Sequence, residues 1–363
     1  MLIVQRYYIK EFFKILLLVA AGLSLIFSMM ELIDKIDDFL PYRPPLESLL
    51  LYVLFSFPRY LLYLLPMAIL ICSLFVFSQA KKREEITAVR AAGGSIKALL
   101  IPFLYAGLFL SLFGFFLNEF IVPEFSKKTQ EIKDEITKKG KKFSFREGTV
   151  WFRASDGSIV KIGLYLPEKA LSKNISIFRI SNGQLKERIE AGKAEWKGFQ
   201  DAEKNKGGVW KLQKVIVYDI ISGKVSRLDE LELQYDESPG IFTENIQKPE
   251  NMGIKKLFIY TKKLEEAGFR NLKLTVDLYS KISYPVINFF MILLGASLPM
   301  RGRTGGGLVT TAMGIFISLF YWFSHAMSLS MGYAGIVPPL IATWLVPVIF
   351  GIISLKLFRG IQE

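Results

Sequence analysis

Apolar residues crowd into six stretches, at about 12–33, 49–79, 98–122, 275–299, 307–331 and 337–357, and one long polar region at 123–270 separates the third from the fourth. Roughly 20 residues rising about 1.5 Å each are needed to cross about 30 Å of hydrocarbon, so every stretch qualifies as a transmembrane helix. The second is long enough to tilt or protrude. Ala20-Ala21-Gly22 in the first resembles a small-residue cleavage site, yet the apolar run continues to Met30 and five more follow. The first stretch is therefore expected to be an uncleaved anchor.

The intervening polar region follows a different period. Within 143–236, short β-rich runs such as TVWFRAS, GSIVKIG, NISIFRI, GKAEWKG and VWKLQKVIVYDI alternate with turn signals at Asp156-Gly157, Asn182-Gly183, Gly207-Gly208 and Ser222-Gly223. That rhythm predicts an all-β sandwich or jelly roll rather than helices. A charge-laced, helix-like connector, EFSKKTQEIKDEITKKGKK, leads into it. The expected fold class is a membrane α-helical protein of six transmembrane helices, with an all-β domain inserted between helices 3 and 4. The expected domains are 1–122, with a short loop helix at about 81–95, then 123–270, then 271–363.

Charge sets the orientation. Lys and Arg are retained on the cytoplasmic side of short loops. Basic residues gather at Arg6, Lys10 and Lys14, at Lys81, Lys82, Arg83, Arg90 and Lys97, at Arg301 and Arg303, and at Lys356 and Arg359. The alternate loops carry only Lys35 and Arg43 at 34–46 and no basic residue at 332–336. Both termini are thus expected in the cytoplasm and the β domain outside, which makes it periplasmic if the membrane is a bacterial inner membrane. The formal net charge of +13 is shared between inner anchors and this exported domain. Nucleic acid is a poor partner for an exported basic surface, whereas anionic headgroups or phosphorylated glycolipids suit it.

Candidate chemistry is sparse. The chain has one cysteine, Cys72, inside the second stretch, and one histidine, His325, inside the fifth, so the β domain has neither. A zinc site, a Cys–His pair and a Ser-His-Asp triad are excluded there. No phosphate-binding loop G-x-x-x-x-G-K-[ST] occurs: Gly192-Lys193 is followed by Ala and Gly223-Lys224 by Val. RGRTGGG at 301–307 reads as a flexible basic hairpin. Trp151, Trp196 and Trp210 read as strand packing, and His325 as a packed side chain. No cofactor is implied.

Charged residues in or beside the membrane are costly and become functional candidates on that ground. Lys35 lies just past the first stretch, Arg59 in the outer part of the second, and Lys281 in the outer part of the fourth, about two turns below Lys273. Each has a local alternative. Lys35 can pair with Glu31 or Asp38, Lys281 with Asp277 at i, i+4, and Arg59 can extend toward the headgroups. The sharper reading is a shared cavity that grips phosphates. DKIDD at 34–38 is oxygen-rich enough to prompt a metal-site reading, but Lys35 would oppose a cation.

KKREEITAVRAAGGS, residues 81–95, separates the second and third stretches on the cytoplasmic side. As a helix it places Ile86, Val89 and Gly93 on one side with Glu85 and Arg90 displaced, an amphipathic segment able to lie on a membrane or dock in a partner's groove. Two adjacent glutamates argue against a pure positive-inside signal.

With these residues in view the chain resembles the LptF/LptG family of lipopolysaccharide export permeases. The resemblance is carried by EEITAVRAAGGS after a Pro-containing second span, NEFIVPEF closing the third, LYSKISYPVINFFMILLGASLPMRGR around the fourth, and AEWKG with GGVWKLQKVIVYDI in the β domain. DKIDDFLPY brings it nearer the LptG branch. The resemblance implies a non-catalytic inner-membrane subunit that pairs with its paralogue, LptF if this chain is LptG. ATP hydrolysis is left to a dimer of the cytoplasmic ATPase LptB, and LptC and a periplasmic jelly-roll bridge receive the lipopolysaccharide. It makes the segment EEITAVRAAG, within about 81–95, a coupling helix in which Glu85 pairs with a basic group of the ATPase, Ile86 and Val89 give apolar contact and Arg90 polar support. Lys35, Arg59 and Lys281 would meet the acidic groups of lipopolysaccharide, although the family often has Arg at the position of Lys281.

Two other readings stay open from the residues alone. A secondary transporter would show internal repeats and a midplane acid, and neither is found. A non-transporting scaffold or sensor would use the outer domain to bind a ligand.

Overall fold

A computed structural model describes residues 2–137, 143–146, 149–154, 156–166, 171–181, 184–198, 208–220, 222–235, 252–266, 271–301 and 307–361. Helices α1 (Leu2–Asp34), α2 (Ile36–Phe39), α3 (Leu46–Lys82), α4 (Glu85–Ala91), α5 (Ile96–Phe116) and α6 (Val122–Ile136) precede seven strands, and α7 (Ile254–Glu266), α8 (Leu272–Arg301), α9 (Gly307–Tyr333) and α10 (Pro339–Arg359) follow them. Among the described residues six helices are long and apolar enough to cross a membrane, and they fall on the six stretches read from the sequence. The RGRTGGG hairpin and the Asn182-Gly183 turn lie outside the described residues.

The chain divides into two compact units. The first holds the apolar helices. Among the six spans, α3 and α8 are the most enclosed and α1 the least. Because lipid tails are as apolar as leucine, the helices associate through close packing rather than hydrophobic drive. Gly295 of α8 shows the device. A Cβ there would collide with the Ser73 hydroxyl and meet the Leu70 carbonyl at 3.0 Å, so α3 and α8 approach backbone to backbone. At one end of the bundle Phe12, Phe77 and Phe103 interlock edge to face, with centroids 5.6 Å apart for Phe12–Phe103 and 4.6 Å for Phe77–Phe103.

Several serines inside the spans bond back to their own helix. Ser24 donates to the Ala20 carbonyl at 2.6 Å, Ser28 to Ser24 at 2.8 Å and Ser73 to Ile69 at 2.7 Å. Pro58 and Pro66 lie within α3, where each removes an N–H from the ladder. The third span does not stop at the predicted connector. After Phe116 the chain continues through a π-helical segment, Leu117–Ile121, into α6, so 96–136 is one uninterrupted helical rod. Ile132 and Ile136 of that connector are buried beside Phe39 and Tyr52. The expected helix-like connector is present.

The second unit carries the β domain expected between the third and fourth spans. Strands β1 (Phe143–Arg146), β2 (Thr149–Arg153), β3 (Ile159–Leu166), β4 (Leu171–Ser181), β5 (Gln184–Gly198), β6 (Gly208–Asp219) and β7 (Val225–Tyr235) form one antiparallel sheet in chain order. All five β-rich runs named from the sequence fall on β2 to β6. The described turns match their signals as well: Gly157 has φ 84° and Gly223 φ 68°, each beside an Asp side chain that accepts a backbone N–H.

Alternation places Val160 and Ile162, Ile175 and Ile177, and Ile189 and Ala191 on one buried face. In β6 the inward parity jumps from Leu212 to Val215. Lys214 between them takes a left-handed φ of 56° and leaves the ladder for one position, while the pairing of β6 with β5 and β7 keeps the same register on either side. Val160 of β3 and Leu233 of β7 line one apolar groove, so the sheet curls over on itself. Trp210 is buried in that groove and meets Trp196 edge to face at 5.3 Å, which gives both the packing role expected. Trp151 stacks on Phe178 at 6.3 Å.

Candidate functional site

Three polar constellations in the first unit concern the predicted site residues. The first sits where α1 ends. Glu31 and Lys35 are one helical turn apart, so their side chains meet on one face, and the Lys35 ammonium donates to Glu31 Oε1 at 2.5 Å. It also donates to the Tyr52 hydroxyl at 2.5 Å, and that hydroxyl donates to Glu31 Oε1 at 3.3 Å. Tyr52 belongs to α3 and is held rigidly by a buried edge-to-face contact with Phe39 at 5.4 Å. Two turns farther along α3, Arg59 brings its guanidinium within 3.9 Å of the same Glu31 oxygen.

Two cations thus converge on one carboxylate. The Glu31 side chain is 10% exposed, while those of Lys35 and Arg59 are 31% and 33% exposed. The anion is inside and the cations rim it. Of the local alternatives read from the sequence, Lys35 takes Glu31. Arg59, placed in the outer part of the second span, joins the same group.

Lys281 belongs to a second constellation. It is buried on α8, where its ammonium donates to Asn118 Oδ1 at 3.3 Å and its carbonyl accepts from Asn118 Nδ2 at 3.0 Å. Asn118 lies in the π-helical segment, so this two-way clasp fastens the third span to the fourth. Asp277, one turn earlier, accepts from the Tyr333 hydroxyl of α9 at 2.7 Å. Beside Asn118, the Glu119 carboxylate accepts the Ile254 N–H at 2.5 Å and the Lys255 N–H at 3.4 Å, capping α7 at its start.

The third constellation is the loop helix, α4, which occupies Glu85–Ala91 within the loop 81–95. α3 stops as Glu84 turns left-handed at φ 58°, α4 follows, and Gly93 at φ 76° swings the chain into α5, whose Ser95 caps Ala98 at 3.2 Å. Gly93 and Gly94 donate to Arg90 and Val89 carbonyls at 3.0 and 2.9 Å, closing the helix end. The small residues serve this tight turn.

Its four predicted contact residues do not share one environment. Ile86 is buried in the core of the bundle, Val89 is half-buried and Arg90 exposed. The Glu85 carboxylate, half-buried, accepts a hydrogen bond from the Tyr8 hydroxyl of α1 and lies 3.9 Å from Arg83. Glu84, Thr87, Ala88, Arg90 and Ala91 form the outward surface. A seven-residue amphipathic segment turns its apolar side to whatever is nearest, and here that is its own bundle.

His325 is buried with its ring stacked on Tyr321, centroids 5.6 Å apart and 9° between planes, as a packed side chain. Among the described residues no three His, Cys, Asp or Glu side chains gather to hold a metal ion. Glu31, Tyr52, Asn118, Tyr8 and Glu119 complete these constellations beyond the predicted residues. Only Glu31 carries a local signal, its i, i+4 spacing to Lys35.

A family model described as "Lipopolysaccharide export system permease LptF/LptG" matches residues 6–360. The lipopolysaccharide export system permease protein LptG of Escherichia coli K12 is 25% identical to this chain over 320 residues, covering 85% of this chain and 84% of that protein. LptG of E. coli O6:H1 strain CFT073 matches to the same extent. With six apolar helices, a β domain between the third and fourth, and a family match over nearly its whole length, the chain belongs to the LptF/LptG family of lipopolysaccharide export permeases.

Proposed function

We propose that this chain is one permease half of an ATP-driven exporter that lifts lipopolysaccharide from the outer leaflet of the bacterial inner membrane and passes it to a periplasmic bridge of jelly rolls. A paralogous permease forms the other half, LptF if this chain is LptG. A cytoplasmic LptB dimer supplies ATP hydrolysis, and LptC leads into the bridge. Both termini and α4 face the cytoplasm, and the β domain faces the periplasm.

The observation that carries this reading is the separation of two polar devices along α1. Tyr8 meets the loop helix near one end, while Glu31 gathers Lys35 and Arg59 at the other. Residues 8 and 31 are about 35 Å apart at 1.5 Å per residue, close to the thickness of the hydrocarbon core. One helix therefore joins a partner-facing surface on one side of the membrane to a phosphate-sized cluster of cations on the other.

The mechanism is mechanical. Closure of the ATPase displaces α4 through Glu85, Val89 and Arg90, while Ile86 seats the helix in its own bundle and passes the displacement inward. ATP can drive transport only because the two cavity states couple differently to the ATPase. Lys35 and Arg59 hold the glycolipid phosphates, and Lys281 joins them when its clasp with Asn118 opens. The exposed apolar faces of α1, with Leu17 and Leu18, and of α9, with Phe316 and Phe323, border the acyl chains. Closing that space expels the amphiphile outward.

The test is to purify the chain with its native partners and identify copurifying proteins and lipids by mass spectrometry. Lys35→Glu is expected to lower bound lipopolysaccharide and leave the ATPase in place, while Arg90→Glu or Glu85→Lys removes the ATPase. Bound lipid unchanged in Lys35→Glu, or a complex with no nucleotide-hydrolysing subunit, overturns the proposal.

A further inference from the structure

The end of α1 contains an anion that the grip on phosphate does not call for. Glu31 sits behind Lys35 and Arg59, its Oε1 2.5 Å from one and 3.9 Å from the other, with its side chain nearly enclosed. We infer that Glu31 is a resident counter-ion, a built-in stand-in for the phosphate of the cargo, which competes with it for the two cations and so favours its release. The inference rests on the proposed assignment of Lys35 and Arg59 to glycolipid phosphate and adds the element that makes that grip reversible.

Charge accounting supports it. Lys35, Arg59 and Glu31 together carry a single positive charge, whereas a phosphate monoester near neutral pH carries about −1.5 to −2. With Glu31 neutralised, the full positive pair faces the phosphate. With Glu31 present, a phosphate binds only as Lys35 and Arg59 rotate away from the carboxylate, and on departure they fall back onto it. Both cations are about one-third exposed at 31% and 33%, so they can turn outward on flexible stems while the carboxylate stays behind. Tyr52 steadies the closed arrangement, since its hydroxyl bonds Lys35 and Glu31 together and its ring is fully buried. A group meant only to position the cations would not need to neutralise one of them. A neutral acceptor could take the same hydrogen bond from Lys35, more weakly, without cancelling its charge.

The arrangement predicts a gain of binding from the loss of a side chain. The experiment uses the purified full complex in nanodiscs, titrated with lipid A bearing both phosphates and, separately, with its dephosphorylated form. Glu31→Gln is expected to bind phosphorylated lipid A about fivefold more tightly, to release it more slowly during ATP turnover, and to leave the dephosphorylated form unchanged. Glu31→Asp, which keeps the charge but withdraws it by one methylene, is expected to move affinity in the same direction by less, and it supplies a second variant if Gln does not assemble.

If either variant binds phosphorylated lipid A equally or more weakly while Lys35→Gln and Arg59→Gln weaken it, Glu31 positions the cations and the inference is overturned with the phosphate grip intact. If Lys35→Gln and Arg59→Gln also leave binding unchanged, the assignment of this cluster to phosphate falls, and the inference falls with it. Equal tightening toward both forms of lipid A likewise overturns it, because the effect would then not be one of charge.

Discussion

Replacing Tyr8 by Phe removes one oxygen and leaves the ring among its neighbours, 6.2 Å from Phe77. That oxygen donates to the Glu85 carboxylate and is the hydrogen bond by which α1 holds the loop helix. A hydrogen bond to a charged acceptor contributes about 1.5–3 kcal/mol. The Glu85 side chain is 34% exposed and regains water when released, so the net loss is expected below that range, about 1 kcal/mol after solvent screening. Such a loss makes local opening of α4 about fivefold more frequent while Ile86 still anchors it. Hydrogen exchange on the purified complex reads this directly: amides of residues 88–94 should lose about fivefold in protection, with those of α5 unaffected. On the proposed mechanism, ATP-stimulated lipid release should fall, because a helix loosely joined to its bundle transmits less displacement. Unaltered protection across 88–94 in Tyr8→Phe would refute the reasoning, since the tie to α1 would then hold nothing.

Three further outcomes follow from the same geometry. Gly93→Ala forces a side chain into the left-handed backbone at φ 76°, where space is open but the conformation is strained. It should cost about 1 kcal/mol and lower the melting temperature of the detergent-solubilised complex by a few degrees. Glu119→Ala uncaps α7 at about 1–2 kcal/mol and should raise proteolytic cleavage near residues 252–256, with assembly of the spans unchanged. Trp210→Ala empties the centre of the β domain at about 3–5 kcal/mol and should abolish its folding, read as loss of near-ultraviolet dichroism in the complex.

The bundle was legible because hydrocarbon imposes a blunt requirement, and a run such as 98–122 meets it whatever its neighbours. The strands were legible because Val160, Ile162, Ile175 and Ile177 alternate with polar residues. Chain-distant contacts left no local trace. Nothing near Tyr8 marks it as the partner of Glu85, or Asn118 as the clasp of Lys281, because each pair meets only after the spans have packed. Ile86 shows a different limit: apolar spacing indicates that a face will be covered but not by what, and the cover is the chain's own core. The third span was divided at 122 because charge begins there. Backbone hydrogen bonding does not respect that change of composition, and the helix runs on to Ile136.

That unbroken run has a consequence for how force travels. A rod spanning residues 96–136 is about 60 Å long, so a tilt at its Ile96 end is carried along the whole length to Ile136. Its one change of winding, at Leu117–Ile121, is where Asn118 and Glu119 take hold of other parts of the molecule. A fulcrum there lies about 35 Å from Ile96 and about 25 Å from Ile136, so a nudge delivered through the short loop helix arrives at the far tip reversed in direction and about three-quarters as large.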